Sequence, residues 1–330
     1  MKNVMLLSLR LVSALVVVGM LLAAPFAHAQ PAKKLLRIGI LSPFSSSVDA
    51  FRDAYRERLQ ELGYSSGRNI TLEYRAAEGM ADRLPQLALD LVKMQVDAIV
   101  TTTAPGAQAA KQATATIPII VAGVDDAVDQ GFVTSLARPG GNITGISWLD
   151  TGLSAKRVEL LKQTVTKTSR IAFLREAVGA ASSLRAIEAS ARTLGIRLVV
   201  VELRGPNEID SVFSALAHER VDGVVVAQSP MITGQERQIV ELAMKHRMAT
   251  IFPFRKAVEA GALMSYGPKS AELYRRAADY TDRILKGAKP SELPVEQPTS
   301  FELVINLRTA DALGMKIPQA ILVSADEVIR

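Results

Sequence analysis

No cysteine occurs in the 330 residues. That one absence excludes disulfides, thiolate metal sites and cysteine nucleophiles, so the fold must be held by its cores. Histidine is nearly as scarce. Of three, His28 lies in an apolar N-terminal segment, and His218 and His246 sit in helical patterns beside charged residues, where they read as solvated surface groups. No pair of His stands at metal-ligand spacing, and no Gly-x-Ser-x-Gly elbow precedes a helix, which speaks against a metalloenzyme or hydrolase. Phosphate-cradling loops are missing too. Gly39 is followed by Ile40-Leu41-Ser42-Pro43-Phe44 instead of further glycines, and no Gly-Lys-Ser/Thr occurs, so no cofactor is expected.

The N-terminus is the one long apolar run. Lys2 and Arg10 give it a positive start, Leu11 to Leu22 an apolar core, and Ala27-His28-Ala29 a small-x-small site before Gln30. This reads as a secretory signal peptide over residues 1–29, cleaved after Ala29. The uninterrupted core is shorter than the ~20 residues of a membrane-spanning helix, and Pro25 breaks it. No Cys follows it for lipid attachment. The net charge of +6 falls to +4 once Lys2 and Arg10 leave with the segment, and the remaining bases alternate with acids, as in Arg56-Glu57-Arg58. That is a solvated surface and not a nucleic-acid stripe.

What the chain does have is an internal duplication. Val96-Asp97-Ala98-Ile99-Val100 has Pro105 eight residues after its Asp, and Val221-Asp222-Gly223-Val224-Val225 has Pro230 eight after its own. Each copy follows a Leu-Gly that closes an amphipathic pattern (Leu62-Gly63, Leu194-Gly195) and a β-rich run, and each precedes a helix and another apolar strand. Strand and helix patterns alternate from Leu36 to Ala122 and again from Arg170 to Phe252, which predicts two α/β lobes with parallel sheets. The expected division is an N-terminal lobe over 30–147 and a C-terminal lobe over 148–264. Residues 265–330 supply a crossover helix returning to the first lobe and a C-terminal segment shared between lobes, with Pro290, Pro294 and Pro298 as a stiff linker. Strands bridging the lobes make a hinge, and ligands bind at the carboxyl ends of such sheets.

Candidate contacts therefore come from the loops at strand ends. After the first strand stand Phe44 and Ser45-Ser46-Ser47, where Ser46 and Ser47 lead into a helix whose free N–H groups favour an anion, with an ordinary N-cap as the plain alternative for one of the serines. Thr101-Thr102-Thr103 follows the third strand, and Gln228-Ser229 stands at the same place in the repeat. Both loops are uncharged and rich in hydrogen-bonding groups; Thr102, Thr103 and Gln228 are the candidates, against a structural turn before a helix, which accounts for Pro105 and Pro230 but less well for three threonines in a row. Asp126 after the fourth strand is suited to a ligand ammonium, with helix capping as its plain alternative. Ser147 closes the next strand, and Trp148, Phe44, Phe254 and Tyr266 could wall an apolar or aromatic group, with core packing the commoner fate of any one of them.

Several motifs together resemble a known family: Ala137-Arg138-Pro139-Gly140-Gly141-Asn142-Ile143-Thr144-Gly145, Met264-Ser265-Tyr266-Gly267, Ile284-Leu285-Lys286-Gly287 with Leu293-Pro294-Val295, and Ala310-Asp311-Ala312-Leu313-Gly314 with Ile317-Pro318. This combination is similar to the ABC transporter substrate-binding family often labelled tryptophan/tyrosine transport, over roughly residues 35–330. The resemblance implies the type I periplasmic binding protein fold, with two Rossmann-like lobes joined by a multi-crossing hinge, and a periplasmic receptor, expected as a monomer, that closes on a small molecule and docks on an inner-membrane permease with its ATPase. The chain departs from the family at Asp126-Ala127-Val128, where Asp-Pro-Val is usual, at Arg175-Glu176 in place of Asn-Pro, and at Lys269 in place of an acid or amide. Asp126 is retained, and Arg175 and Glu176 add charge beside the cleft, which makes Glu176 a further candidate contact.

The sequence thus predicts a non-enzymatic receptor for a small polar or aromatic solute, an amino acid among the choices. Its rivals are an exported sensor domain reporting to a membrane kinase and a two-lobed racemase or lyase drawing acid–base pairs from Asp126, Glu176 or Lys256.

Overall fold

A computed structural model describes residues 35–44, 50–148, 150–165, 168–177 and 181–330. The expected signal peptide lies outside them, as do Ser46 and Ser47. The first lobe runs β1 (Leu36–Ser42), α1 (Ala50–Glu61), β2 (Ile70–Ala76), α2 (Leu84–Lys93), β3 (Ala98–Thr101), α3 (Ala104–Ala113), β4 (Ile119–Asp125) and β5 (Ile143–Trp148). Its five strands are all parallel in the order β2-β1-β3-β4-β5. Central strands such as β1 and β3 are apolar almost throughout because helices cover both faces of the sheet.

The second lobe runs α4 (Asp150–Thr164), β6 (Arg170–Glu176), α5 (Ala181–Thr193), β7 (Arg197–Leu203), α6 (Ile209–His218), β8 (Gly223–Val226), α7 (Pro230–Thr233), α8 (Glu236–Lys245), β9 (Ala249–Phe252), α9 (Arg255–Glu259) and β10 (Met264–Pro268). Its parallel strands β7-β6-β8-β9-β10 repeat the order of the first sheet. The duplicated Asp explains why the repeat is visible. Asp97 Oδ2 accepts from Arg37 N at 2.8 Å, and Asp222 Oδ2 accepts from Ser169 N and Arg170 N at 2.7 and 2.9 Å. Each carboxylate ties the third strand of its lobe to the start of the first. Pro105 and Pro230 then open α3 and α7, capped by Thr103 and Ser229.

After β10 come α10 (Ser270–Leu285), β11 (Phe301–Asn306), α11 (Leu307–Leu313), α12 (Gln319–Ser324) and β12 (Glu327–Ile329). The chain crosses between lobes three times: after Trp148, at Lys269, and through residues 297–300. α10 belongs to the first lobe, where Leu273, Ala277, Tyr280 and Ile284 pack with Tyr55 and Leu59 of α1. β11 pairs antiparallel with β10, and β12 parallel with β11, so the C-terminal strands extend the second sheet. In that sheet β10 starts only at Met264, because Gly261 at φ +109 ends the turn after α9 and delays the strand.

Residues 293–296, expected as part of a linker, run along β5 instead. Thr144 Oγ1 donates to Leu293 O at 2.7 Å, Glu296 N to Gly145 O at 2.9 Å, and Ser147 N to Glu296 O at 2.9 Å. This covers the open edge of the first sheet. Arg276 on α10 clamps Glu296 with two hydrogen bonds of 2.5 and 2.6 Å. Among the described residues no helix is long and apolar enough to cross a membrane.

Candidate functional site

In both lobes the strand order reverses between the first and third strands, β1 and β3 in one and β6 and β8 in the other. A crevice opens at the carboxyl ends of strands at such a switch point. On the first lobe Phe44 stands there half-buried, its N–H donating to Ser42 Oγ at 3.2 Å. Beside it the threonine loop divides its labour. Thr103 Oγ1 accepts from Gly106 N at 3.4 Å and caps α3. Thr101 Oγ1 packs against Gly106 so closely that a Cβ there would lie 2.1 Å away, and it too has no hydrogen-bond partner among the described residues. Thr102 is 8% exposed, and its Oγ1 has no hydrogen-bond partner among the described residues. A buried hydroxyl left unpaired costs free energy, so this one is poised for a group the chain does not provide.

At the end of β4 the backbone bulges between Ala122 and Val124. Gly123 there has φ +106, and a Cβ would meet the Trp148 ring at 2.6 Å, so the absent side chain is what lets the indole lie on the strand. Asp126 is half-buried at φ +37, and its Oδ1 accepts from Asp129 N at 3.1 Å; it closes a turn, and no helix follows for it to cap. Ser147 is buried and its Oγ accepts from Ala127 N at 2.9 Å, which spends one of its acceptor sites on fixing the β4 loop.

Trp148 is 5% exposed and its ring lies 5.8 Å from that of Phe254, which follows β9 in the second lobe. These two candidates meet across the lobes. Tyr266 on β10 stacks instead on Phe301 at 6.2 Å, within the second lobe. Glu176 and Gln228 stand half-buried at the ends of β6 and β8. Among the described residues no hydrogen bond joins a candidate of one lobe to a candidate of the other.

Three charged groups of the second lobe complete this edge. Arg175 is buried on β6, its guanidinium 3.1 Å from Glu202. Arg157 is 1% exposed; its Nε donates to Tyr266 O at 2.8 Å and its Nη1 to Ser154 Oγ at 3.2 Å. Sequence reading passed over it, although a cation between Ser154 and Leu161 on the inward stripe of a helix is a visible signal. Glu236 opens α8 with its side chain 16% exposed, 3.9 Å from Lys256 Nζ, and burial pushes its carboxyl up from the ordinary range. An acid at a helix start looks like any other in sequence, so nothing marked it. Among the described residues no group of His, Asp and Glu could hold a metal ion.

Comparison with known proteins matches this architecture. The sequence model of the family described as ABC transporter substrate binding protein matches residues 37–329. The tyrosine-binding protein of Clostridioides difficile (strain R20291) is 27% identical over 287 residues, 86% of this chain and 82% of its own length. An ABC domain from Streptococcus pneumoniae solved in complex with L-Trp superposes with a TM-score of 0.82 at 26% identity, covering 89% of this chain and 99% of that one. The ligand-free, open structure of a substrate binding protein with adhesive properties from Clostridium difficile gives a TM-score of 0.65 at the same identity and coverage. The fold is that of type I periplasmic binding proteins.

Proposed function

This chain belongs to the ABC transporter substrate binding protein family, and from that premise we propose that it is the periplasmic solute receptor of an ABC importer, taking an amino acid with an aromatic side chain. The observation that carries the reading is the Thr102 hydroxyl, buried and unpaired at the switch point of the first lobe. In this reading Thr102 and Gln228 orient the polar end of the ligand, with Ser46, Ser47, Thr103, Asp126, Ser147 and Glu176 around it. Phe44, Trp148, Phe254 and Tyr266 supply apolar wall. The receptor is exported by its N-terminal segment, acts as a monomer without chemistry of its own, and presents the closed lobes to a permease and its ATPase.

Closure needs a ligand that binds the closed form better than the open one. Two observations support a closed arrangement: the Trp148–Phe254 contact across the lobes, and the higher TM-score against the tryptophan-bound structure than against the open one. The names of the relatives, which bind tyrosine and L-Trp, support the ligand class. Native mass spectrometry of the purified protein, before and after denaturing extraction, tests the reading. A co-purified amino acid, released intact and restored by calorimetric titration with L-tyrosine or L-tryptophan, is the expected result. A released compound chemically altered on rebinding would instead make the protein an enzyme.

A further inference from the structure

Behind Phe254, at the carboxyl edge of β8 and β9, lies a cavity of about 10 Å³, room for about one water molecule. Val226, Ala227, Ile232 and Phe252 give it apolar walls, and Glu236 is the one acid lining it. The Glu236 carboxyl accepts from its own backbone N–H and from no side-chain donor within hydrogen-bond distance among the described residues, which leaves acceptor sites open. Its single cation, Lys256, is 3.9 Å away, beyond hydrogen-bond distance and not part of the lining. Neighbouring acids are better served: Arg255 reaches Glu259 at 3.0 Å and Glu327 at 3.1 Å. The amino terminus of α8 offsets part of the cost of holding an anion here, but a dipole does not fill the acceptor sites of a carboxyl group. An acceptor held with spare capacity in an apolar recess beside a cleft aromatic is what a hydrogen-bond donor on a ligand ring would require.

We propose that Glu236 is the specificity-determining acceptor of the second lobe, taking a hydrogen bond from a hydroxyl or ring N–H at the aromatic end of the ligand, while Thr102 serves the other end. This rests on the aromatic amino-acid reading above. Its consequence is discrimination among rings of the same shape, because a site built to bond a donor rejects the analogue that lacks it. Titration calorimetry with L-tyrosine and L-phenylalanine measures this directly. The protein should bind L-tyrosine at least about tenfold more tightly. Glu236→Leu, which fills the recess with an apolar side chain, should bring that ratio below about threefold while leaving L-phenylalanine affinity in place. Lys256→Met should keep the ratio, since the acceptor remains. A ratio unchanged in Glu236→Leu, lost equally in Lys256→Met, or absent from the unmodified protein overturns the role of Glu236 and leaves the receptor reading standing. Failure of both amino acids to bind overturns the aromatic ligand class itself, and this inference with it.

Discussion

Thr102 is placed where a structural side chain would be wasteful. Its hydroxyl is shut away from water, and no described group pairs with it. Thr103, one residue on, has the capping task and is needed for α3. Replacing Thr102 by Val keeps the shape and removes the unpaired hydroxyl, so the empty protein should be as stable as before or up to about 1 kcal/mol more stable. Ligand affinity should fall by at least about tenfold, close to 1.4 kcal/mol. Urea unfolding and calorimetry on the same sample separate the two effects. A loss of stability in step with the loss of affinity would mark Thr102 as a packing residue. Glu236 has the same logic with opposite chemistry, an acceptor in place of a donor-acceptor. Asp126 and Ser147 differ from both, because each already bonds the backbone that shapes the β4 loop.

The element that holds the hinge to the first lobe is α10. It is fastened to α1 by Arg58, which bonds Asp279 at 2.8 Å and Glu61 at 2.8 Å, and by Arg275, which bonds Glu61 at 2.6 Å. Tyr55 and Thr281 share a buried hydrogen bond of 2.7 Å between the same helices. Arg275 and Arg58 hold the Glu61 carboxyl at about 2, below its ordinary 4.5, and Arg276 holds Glu296 down as well. A depressed carboxylate stabilises the fold above its unfolded pKa, and that contribution is lost as pH falls through the folded value. The protein should therefore lose stability from about pH 4.5 towards pH 2, and a Glu61→Gln, Glu296→Gln variant should lose less over that window. Urea midpoints taken across it supply the comparison; parallel curves would clear these two carboxylates of any part in acid unfolding. None of this fastening was legible beforehand. The helix of α10 shows in its periodicity, but the partners of its charges lie some 20 or more than 200 residues away in sequence. The strand-like path of Leu293 to Glu296 depends on Thr144 and Gly145, and the prolines around it looked only like a linker.

On the scale of the whole molecule, the part of the fold that the sequence announces is the part built twice. Asp97 and Asp222 do the same backbone-tying work in each lobe, and that shared need is why the phrase repeats and why both sheets have one strand order. The antiparallel β11 and the short β12 have no counterpart in the first lobe, so no repeat could reveal where they pair. The candidate site was legible to a similar degree. Loops at strand ends can be found from the strands, whereas the meeting of Trp148 with Phe254 depends on how two separate lobes come together.

That meeting has an optical consequence. Trp148 is the sole indole of the chain, seated at the first crossing and touching the opposite lobe, so the protein has a built-in fluorophore at the joint that the proposed closure would move. Its emission should be blue and strongly shielded from acrylamide when ligand is bound. It should shift to the red and quench more readily once the ligand is dialysed away, with no label added. Spectra identical in the two conditions would mean that the lobes do not part at Trp148.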